Sequence, residues 1–289
     1  MRSRTGFTVT EVVVSLAIIS LLFSILLPAV QMSRSKSRSV QCRNNLHQQG
    51  IAIHNHEATD HYLRGTLGLD DLLEYPVPTT PEEAGNAAYP LLVCPDDFVA
   101  VNNRGHIPSY LFNIGNERQQ GRKRNGIVGY TRAADVTDGL SQTALVSERL
   151  LLDIPFGPGV QDDPRRFSGF TPTPRPHPEG LDAFAELCRT QRTMPVIWQG
   201  TNPFVFGTLP YDYTHVLGPN SNSCINGTPT PPTMEVDDSM RIDTPTSLHP
   251  GGVHLLLCDG AVRFISDEID LNVWQAMGSR NGHESVGEF

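Results

Sequence analysis

MRSRTGFTVTEVVVSLAIISLLFSILLPAV, residues 1–30, decides how the rest of the chain reads. Arg2 and Arg4 precede Gly6, Phe7 follows it, and an apolar run extends from Val12 to Val30 with a single acid, Glu11, at its edge. An isolated carboxylate at the border of a bilayer-length apolar run is costly to bury, by about 2.5–3.5 kcal/mol on insertion scales, so a chain that keeps one is expected to supply a partner for it. The run is longer than the roughly 7–15 apolar residues of a secretory signal core, and no A-x-A-like site follows it cleanly. A membrane anchor needs about 20 apolar residues, which Phe7–Val30 provides. A plain anchor accounts for the length but not for Gly6-Phe7 combined with Glu11.

Beyond Val30 the helical pattern continues with a different face. After Pro28 the apolar positions thin to one stripe, Cys42, Leu46, Gly50 and Ile53, at spacings of 4, 4 and 3, which is the helical period. Residues 7 to about 57 therefore read as one helix, a rod of about 75 Å at 1.5 Å per residue. Its first half belongs in lipid or in a bundle of like helices, and its second half needs a globular body against one face. The expected organisation is a leader (1–6), a membrane or assembly helix (7–30), its amphipathic continuation (31–57) and a globular domain (58–289).

The N-terminus resembles the class III signal of type IV prepilins and type II secretion pseudopilins. That resemblance implies cleavage by a prepilin peptidase between Gly6 and Phe7 and methylation of the Phe7 amine. It also implies pairing of Glu11 with that amine on a neighbouring subunit, and a helix-kinking role for Pro28. The implied location is the inner (cytoplasmic) membrane, single-pass, with the body on the extracytoplasmic side. The implied partners are the peptidase, other pilin-like subunits and the lipid bilayer. The expected fold class is α+β, pilin-like, with the long helix packed on an antiparallel sheet.

Charge is uneven. The net charge is −9, yet residues 1–50 carry six Arg/Lys (Arg2, Arg4, Arg34, Lys36, Arg38, Arg43) against Glu11 alone, so the rest carries −14. An acidic body argues against non-specific nucleic-acid binding, which needs basic patches facing phosphates. The basic cluster after Val30 suits lipid headgroups or acidic neighbours in an assembly.

Along the body, Gly65–Pro95 reads as a loop with a short helix near Asp70–Glu74, ending in an apolar strand, Tyr89–Val93. Strands are expected at Ser109–Ile114 and Gly126–Ala134, and another runs into Leu152 after the Asp138-Gly139 turn. The stretch 155–245, dense in Pro, Gly and Asn, reads as a large irregular insertion over the sheet, interrupted by a helix at Gly180–Arg192 and a strand at Pro195–Gln199. Val253–Cys258, Asp259-Gly260 and Ala261–Ile265 form the strongest short-range hairpin signal in the chain. Asp267–Met277 suits a closing helix.

Five cysteines leave at least one unpaired within the chain. Cys258 lies in an apolar strand and reads as a buried small hydrophobe. Cys42, on the body-facing helix stripe, is expected to bond Cys94, and Cys188 to bond Cys224. No CxxC or zinc-like spacing is present.

The body also carries a second resemblance. Gln41-Cys42-Arg43-Asn44-Asn45-Leu46 with Ile53-His54-Asn55, Cys94-Pro95-Asp96, Thr137-Asp138-Gly139 through Glu148, and His249 followed after nine residues by Asp259-Gly260 are similar to the blocks of a large bacterial family of unknown function with prepilin-type N-termini. What this implies is a membrane-anchored, pilin-like protein with no established reaction.

Other constellations weigh less. His249 and Asp259 read as turn chemistry, with His249 hydrogen-bonded back to the hairpin. His54, His56, Glu57 and His61 offer metal-ligand types near a helix end, where histidines are commonly solvated. The loops Asp135–Asp138 and Asp237–Asp243 could bind Ca²⁺ only by analogy with major pseudopilins, because no EF-hand spacing is present. No other metal or cofactor is expected, and the absence of GxSxG, P-loop, HExxH and Rossmann patterns points away from an enzyme. The leading expectation is a structural subunit. The alternative is an anchored extracytoplasmic binding module, for instance glycan-binding, that does not polymerise.

Overall fold

The computed structural model describes residues 8–63, 73, 89–98, 108–116, 125–150, 165, 168–171, 181–190, 195–196, 212–228 and 235–283. Helix α1 spans Val9–Asp60. It starts in a capping box: the Thr8 Oγ1 accepts from the Glu11 N–H, and the Glu11 Oε2 accepts from the Thr8 N–H at 2.8 Å, satisfying donors that a helix start otherwise leaves orphaned. It stops at His61, whose left-handed conformation (φ 66°) turns the chain out of the helix. Every described residue up to Arg34 is exposed, and the first buried one is Cys42. From there Cys42, Asn45, Leu46, Gln49, Gly50 and Ile53 form the buried face, the stripe that the 4-4-3 spacing predicts.

That face lies on a five-stranded sheet ordered β5-β1-β2-β8-β9. Its strands are β1 (Tyr110–Asn113), β2 (Ala144–Glu148), β5 (Asp212–Tyr213), β8 (Gly252–Leu257) and β9 (Val262–Ser266). Strands β1, β2, β8 and β9 pair antiparallel, as expected, but β5 joins β1 in parallel, so the sheet is mixed. Both β2 and β8 are buried along their whole length, because each face is covered. Alternation along the strands divides the side chains. Tyr110, Phe112, Val146 and Leu256 meet α1 in one core, whereas Leu111, Ala144, Leu255 and Leu257 meet Trp274 and Met277 of α3 (Leu271–Gly278) in the other. The result is helix, sheet, helix. At Gly50 the long helix comes close enough that a Cβ would sit 3.0 Å from Leu256 Cδ1.

Three expectations need correction. Tyr89–Val93 is not a strand: Pro90–Leu92 forms a 3-10 turn, which suits Pro at its first position. Gly126–Ala134 does not run as a strand either, since Gly129 and Tyr130 take positive φ (22° and 30°) and Ala133–Asp135 is a second 3-10 turn. The stretch 155–245 is not irregular throughout. Besides the expected helix, α2 (Leu181–Thr190), and the start of the expected strand, β4 (Pro195–Val196), it holds β3 (Ser168–Thr171), β6 (Ser223–Thr228) and β7 (Glu235–Ile242), and the four strands form a second sheet ordered β4-β3-β6-β7. The helix expected at Asp70–Glu74 lies outside the described residues except for Leu73, and so do Gly6 and Phe7.

Candidate functional site

The densest chemistry in the described residues is a buried polar centre where α1 crosses β2 and β8. Its position follows from the helix period. Cys42, Asn45 and Gln49 fall on the face that carries the apolar stripe, so these polar groups enter the core with Leu46 and Ile53. Each has work there. The Asn45 Nδ2 donates to the carbonyls of Pro90 and Val93 and to the Tyr110 hydroxyl, and the Gln49 Nε2 donates to the Leu91 carbonyl at 2.6 Å. Together they hold the 3-10 turn and the Cys94 backbone against the helix. Cys42 and Cys94 are joined as a disulfide with Cα atoms 5.1 Å apart. Asn44, next along the helix, is exposed.

Glu148, the last residue of β2, sits at the middle of the centre with a side chain 1% exposed. Its Oε1 meets His249 Nε2 at 3.2 Å and His254 Nδ1 at 3.0 Å, and its Oε2 accepts the His254 backbone N–H at 2.9 Å. On the far side of the His249 ring, Nδ1 stands 3.0 Å from Asp96 Oδ2, an ion-pair contact without in-line hydrogen-bond geometry. The Arg38 guanidinium of α1 pairs with the other Asp96 oxygen. Cys94 Sγ lies 3.7 Å from His249 Nε2. The two imidazoles meet edge to face at 4.8 Å. Just behind, Arg149 and Asp243 make a second buried ion pair at 3.0 Å.

The electrostatics follow from that geometry. Burial opposes ionisation of Glu148, but the hydrogen bonds and charges of His249 and His254 overcome it and hold the carboxyl down to about 2. Burial disfavours a charged His249, yet Glu148 and then Asp96 outweigh it and raise its pKa. Burial, reinforced by the Glu148 charge, pushes the Tyr110 hydroxyl well above its ordinary value, so it remains protonated.

His249 therefore does not bond back to its own hairpin, as its proximity in sequence suggests. Its ring turns to β2 and to the Cys94-Pro95-Asp96 turn, while Asp259 is exposed and accepts the Ala261 N–H within the β8–β9 turn, with Gly260 at φ 87°. What ties His249 locally is its backbone N–H, donated to Ser247 Oγ, which in turn donates to the Gly252 carbonyl.

Ser39, His254 and Glu148 stand in hydroxyl–imidazole–carboxylate order, with Ser39 Oγ 3.4 Å from His254 Nε2. The amides around Ser39 belong to the interior of α1, where helix hydrogen bonds consume them, so the helix offers no backbone oxyanion donors beside that hydroxyl.

The remaining sequence candidates have structural partners. Asp138 accepts from the Gly282 and His283 N–H groups, fastening the C-terminal segment to the turn that Gly139 makes at φ 104°. Asp135 pairs with Arg132, and Asp243 with Arg149, so these carboxylates of the two suggested Ca²⁺ loops are committed; the side chains of residues 235–241 lie outside the described residues. His54 pairs with Glu57 and His56 with Asp60, one turn apart on α1. Glu11 is held by Thr8, and Pro28 lies inside the uninterrupted α1. Cys188 and Cys224 form the second disulfide, with Cα atoms 5.8 Å apart, and Cys258 is buried and free.

Sequence reasoning missed Asp96, Glu148 and His254 as members of this centre; Asp96 and Glu148 figure in it only within the family-like blocks. The only sign of His254 is a lone imidazole in the otherwise apolar strand GVHLLL. No curated protein and no solved structure matches the chain. A family model does match residues 31–63 and 74–272, which cover the buried half of α1, both sides of the polar centre and the closing hairpin, and the chain thus belongs to the family described as Protein of unknown function (DUF1559).

Proposed function

We propose that the chain is a membrane-anchored, pilin-like structural subunit, trimmed by a prepilin peptidase between Gly6 and Phe7 and assembled with like subunits through α1. The carrying observation is the contrast along one helix. Val9–Asp60 contains a window of mean hydropathy 2.6 of which none is buried, whereas the same helix from Cys42 onward is locked into the core. A helix apolar all round needs lipid or other apolar helices, and α1 is the one helix among the described residues long and apolar enough to cross a membrane. The expected orientation puts the acidic body and both disulfides in an extracytoplasmic compartment, where disulfides persist. His249 with Asp259-Gly260 supports the resemblance to prepilin-bearing relatives, and the polar centre then serves rigidity rather than catalysis.

In this reading Glu11 has two partners in succession. In the single chain it caps α1 through Thr8; in the assembly it exchanges that contact for the freed Phe7 amine of a neighbour. N-terminal mass spectrometry of protein from native membranes is expected to find a methylated Phe7 terminus, and an intact Met1 would overturn processing. Glu11→Ala is expected to leave insertion and cleavage intact while lowering the fraction of subunits recovered in sheared or cross-linked assemblies. Equal assembly by Glu11→Ala would replace the subunit reading with the anchored binding module, in which the second sheet carries specificity.

A further inference from the structure

We propose that Cys42 and Cys94, once their disulfide is reduced, close with His249 and Glu148 into a four-coordinate site for a thiolate-seeking divalent cation, zinc above all. The same residues would then hold α1 to the sheet as a crosslink under oxidising conditions and as a metal centre under reducing ones. The inference rests on the buried centre alone and stands whether or not the chain polymerises.

One ligand atom from each of the four residues lies within 4.8 Å of every other, and all four residues are buried. A zinc ion with bonds of about 2.3 Å to sulfur and about 2.0–2.2 Å to nitrogen and oxygen makes tetrahedron edges of about 3.4–3.8 Å. Two edges are already near those lengths: His249 Nε2 to Glu148 Oε1 is 3.2 Å, and His249 Nε2 to Cys94 Sγ is 3.7 Å. The edge that must open most is the one between the bonded sulfurs, and breaking that bond is what opens it. Two thiolates, an imidazole and one carboxylate suit zinc and its neighbours, whereas Mg²⁺ and Ca²⁺ take oxygen donors.

The surroundings of these ligands are also those of a metal site. Asp96 stands 3.0 Å from His249 Nδ1, leaving Nε2 directed at the cluster, and Arg38 holds Asp96 in turn. A carboxylate behind a ligating imidazole is the usual means of fixing its tautomer and aim. The other Glu148 oxygen is pinned by the His254 N–H. The four ligands come from α1, the turn after Leu92, the end of β2 and the loop before β8, so a cation would join the two pieces that the disulfide joins and add the end of β2 and the loop before β8 to them.

The chemistry balances with a dithiol as reductant. It supplies two electrons and two protons, the Cys42–Cys94 bond breaks to two thiols, and the dithiol leaves as its own disulfide. Zinc then displaces three protons to solvent, one from each thiol and the one that His249 Nε2 shares with Glu148 in the metal-free centre.

The test uses the full chain in detergent, reduced with a phosphine and titrated with Co²⁺ as a spectroscopic probe, then with Zn²⁺. The reduced protein is expected to show thiolate-to-cobalt charge-transfer and tetrahedral cobalt bands at one equivalent, bleached by one equivalent of zinc, and the oxidised protein none. Cys42→Ser is expected to abolish the bands, and Cys188→Ser to leave them. Asp96→Asn is expected to weaken zinc by about 10–100-fold, and His249→Ala by more. The proposal is overturned if the reduced protein shows no such bands, if Cys42→Ser keeps them, or if both Asp96→Asn and His249→Ala bind as the wild type does.

Discussion

Two oxygens of Glu148 serve two imidazoles and a backbone amide, so its removal strands three donors in a dry interior. Truncating one partner of a buried charged network costs about 3–5 kcal/mol. Glu148→Ala is therefore expected to lower unfolding free energy by that amount in urea titration, and Glu148→Gln by less, because one acceptor oxygen survives. His215 makes a separate prediction. It stacks on Trp274 at 3.9 Å, with Nδ1 bonded to the Trp274 carbonyl and Nε2 to the Tyr213 hydroxyl. Burial pushes its pKa to about 3, against the upward pull of the Trp274 carbonyl. A histidine in the unfolded chain titrates near 6.5. Below that pH the unfolded state binds a proton that the folded state refuses. This contribution to stability is whole above about 6.5 and is lost toward about 3, by up to about 1.4 kcal/mol per pH unit. Urea unfolding across that range is expected to show a flatter acid slope for His215→Gln than for the wild type; equal slopes would refute the assignment.

Among elements, α1 is held to the body by a few discrete contacts, and each can be tested. The Cys42–Cys94 bond spans 52 residues, so its loss through Cys42→Ser is expected to cost about 2–4 kcal/mol, read as a lower urea midpoint. Glycines mark the close approaches. At Gly278, the end of α3, a Cβ would fall 2.4 Å from His215 Cβ and 2.6 Å from Cγ, whereas at Gly50 the nearest atom is the end of a Leu256 side chain at 3.0 Å. Gly278→Ala is expected to lower the melting temperature markedly. Gly50→Ala is expected to be nearly neutral, since the helix gains about 1 kcal/mol from alanine while Leu256 shifts by tenths of an ångström. The legible elements were those with local signals: the 4-4-3 stripe of α1 and the Asp259-Gly260 hairpin. The second sheet escaped because Ser168 pairs with Ser223 and β6 with β7 across Pro- and Gly-rich chain, and long-range pairing leaves no periodic trace. Positive φ at Gly129 and Tyr130 likewise breaks a stretch whose composition suits a strand. In the polar centre, residue types were visible but partners were not. Asp259 lies close to His249 in sequence, whereas Glu148, its actual partner, is 101 residues away.

On the scale of the whole molecule the chain divides into a part that folds by its own contacts and a part that waits for others. Among the described residues none before Cys42 belongs to a buried hydrophobic cluster, and apart from Arg38 and Ser39, which reach Asp96 and His254, the polar centre, both disulfides and both faces of the five-stranded sheet lie from Cys42 onward. The large apolar side chains from Val9 to Val30 are at least 46% exposed where they appear among the described residues, far more contiguous apolar surface than a soluble monomer tolerates. Residues 31–289 alone are accordingly expected to remain in solution as a folded monomer, with a melting temperature within about 2–4 °C of the full chain in detergent, the shift that 1 kcal/mol produces at this size. The full chain is expected to float with lipid vesicles, and residues 31–289 to stay at the bottom of the gradient. Should residues 31–289 unfold or float, the apolar half of α1 would be part of the fold rather than a handle for lipid and like helices, and the division at Cys42 would be wrong.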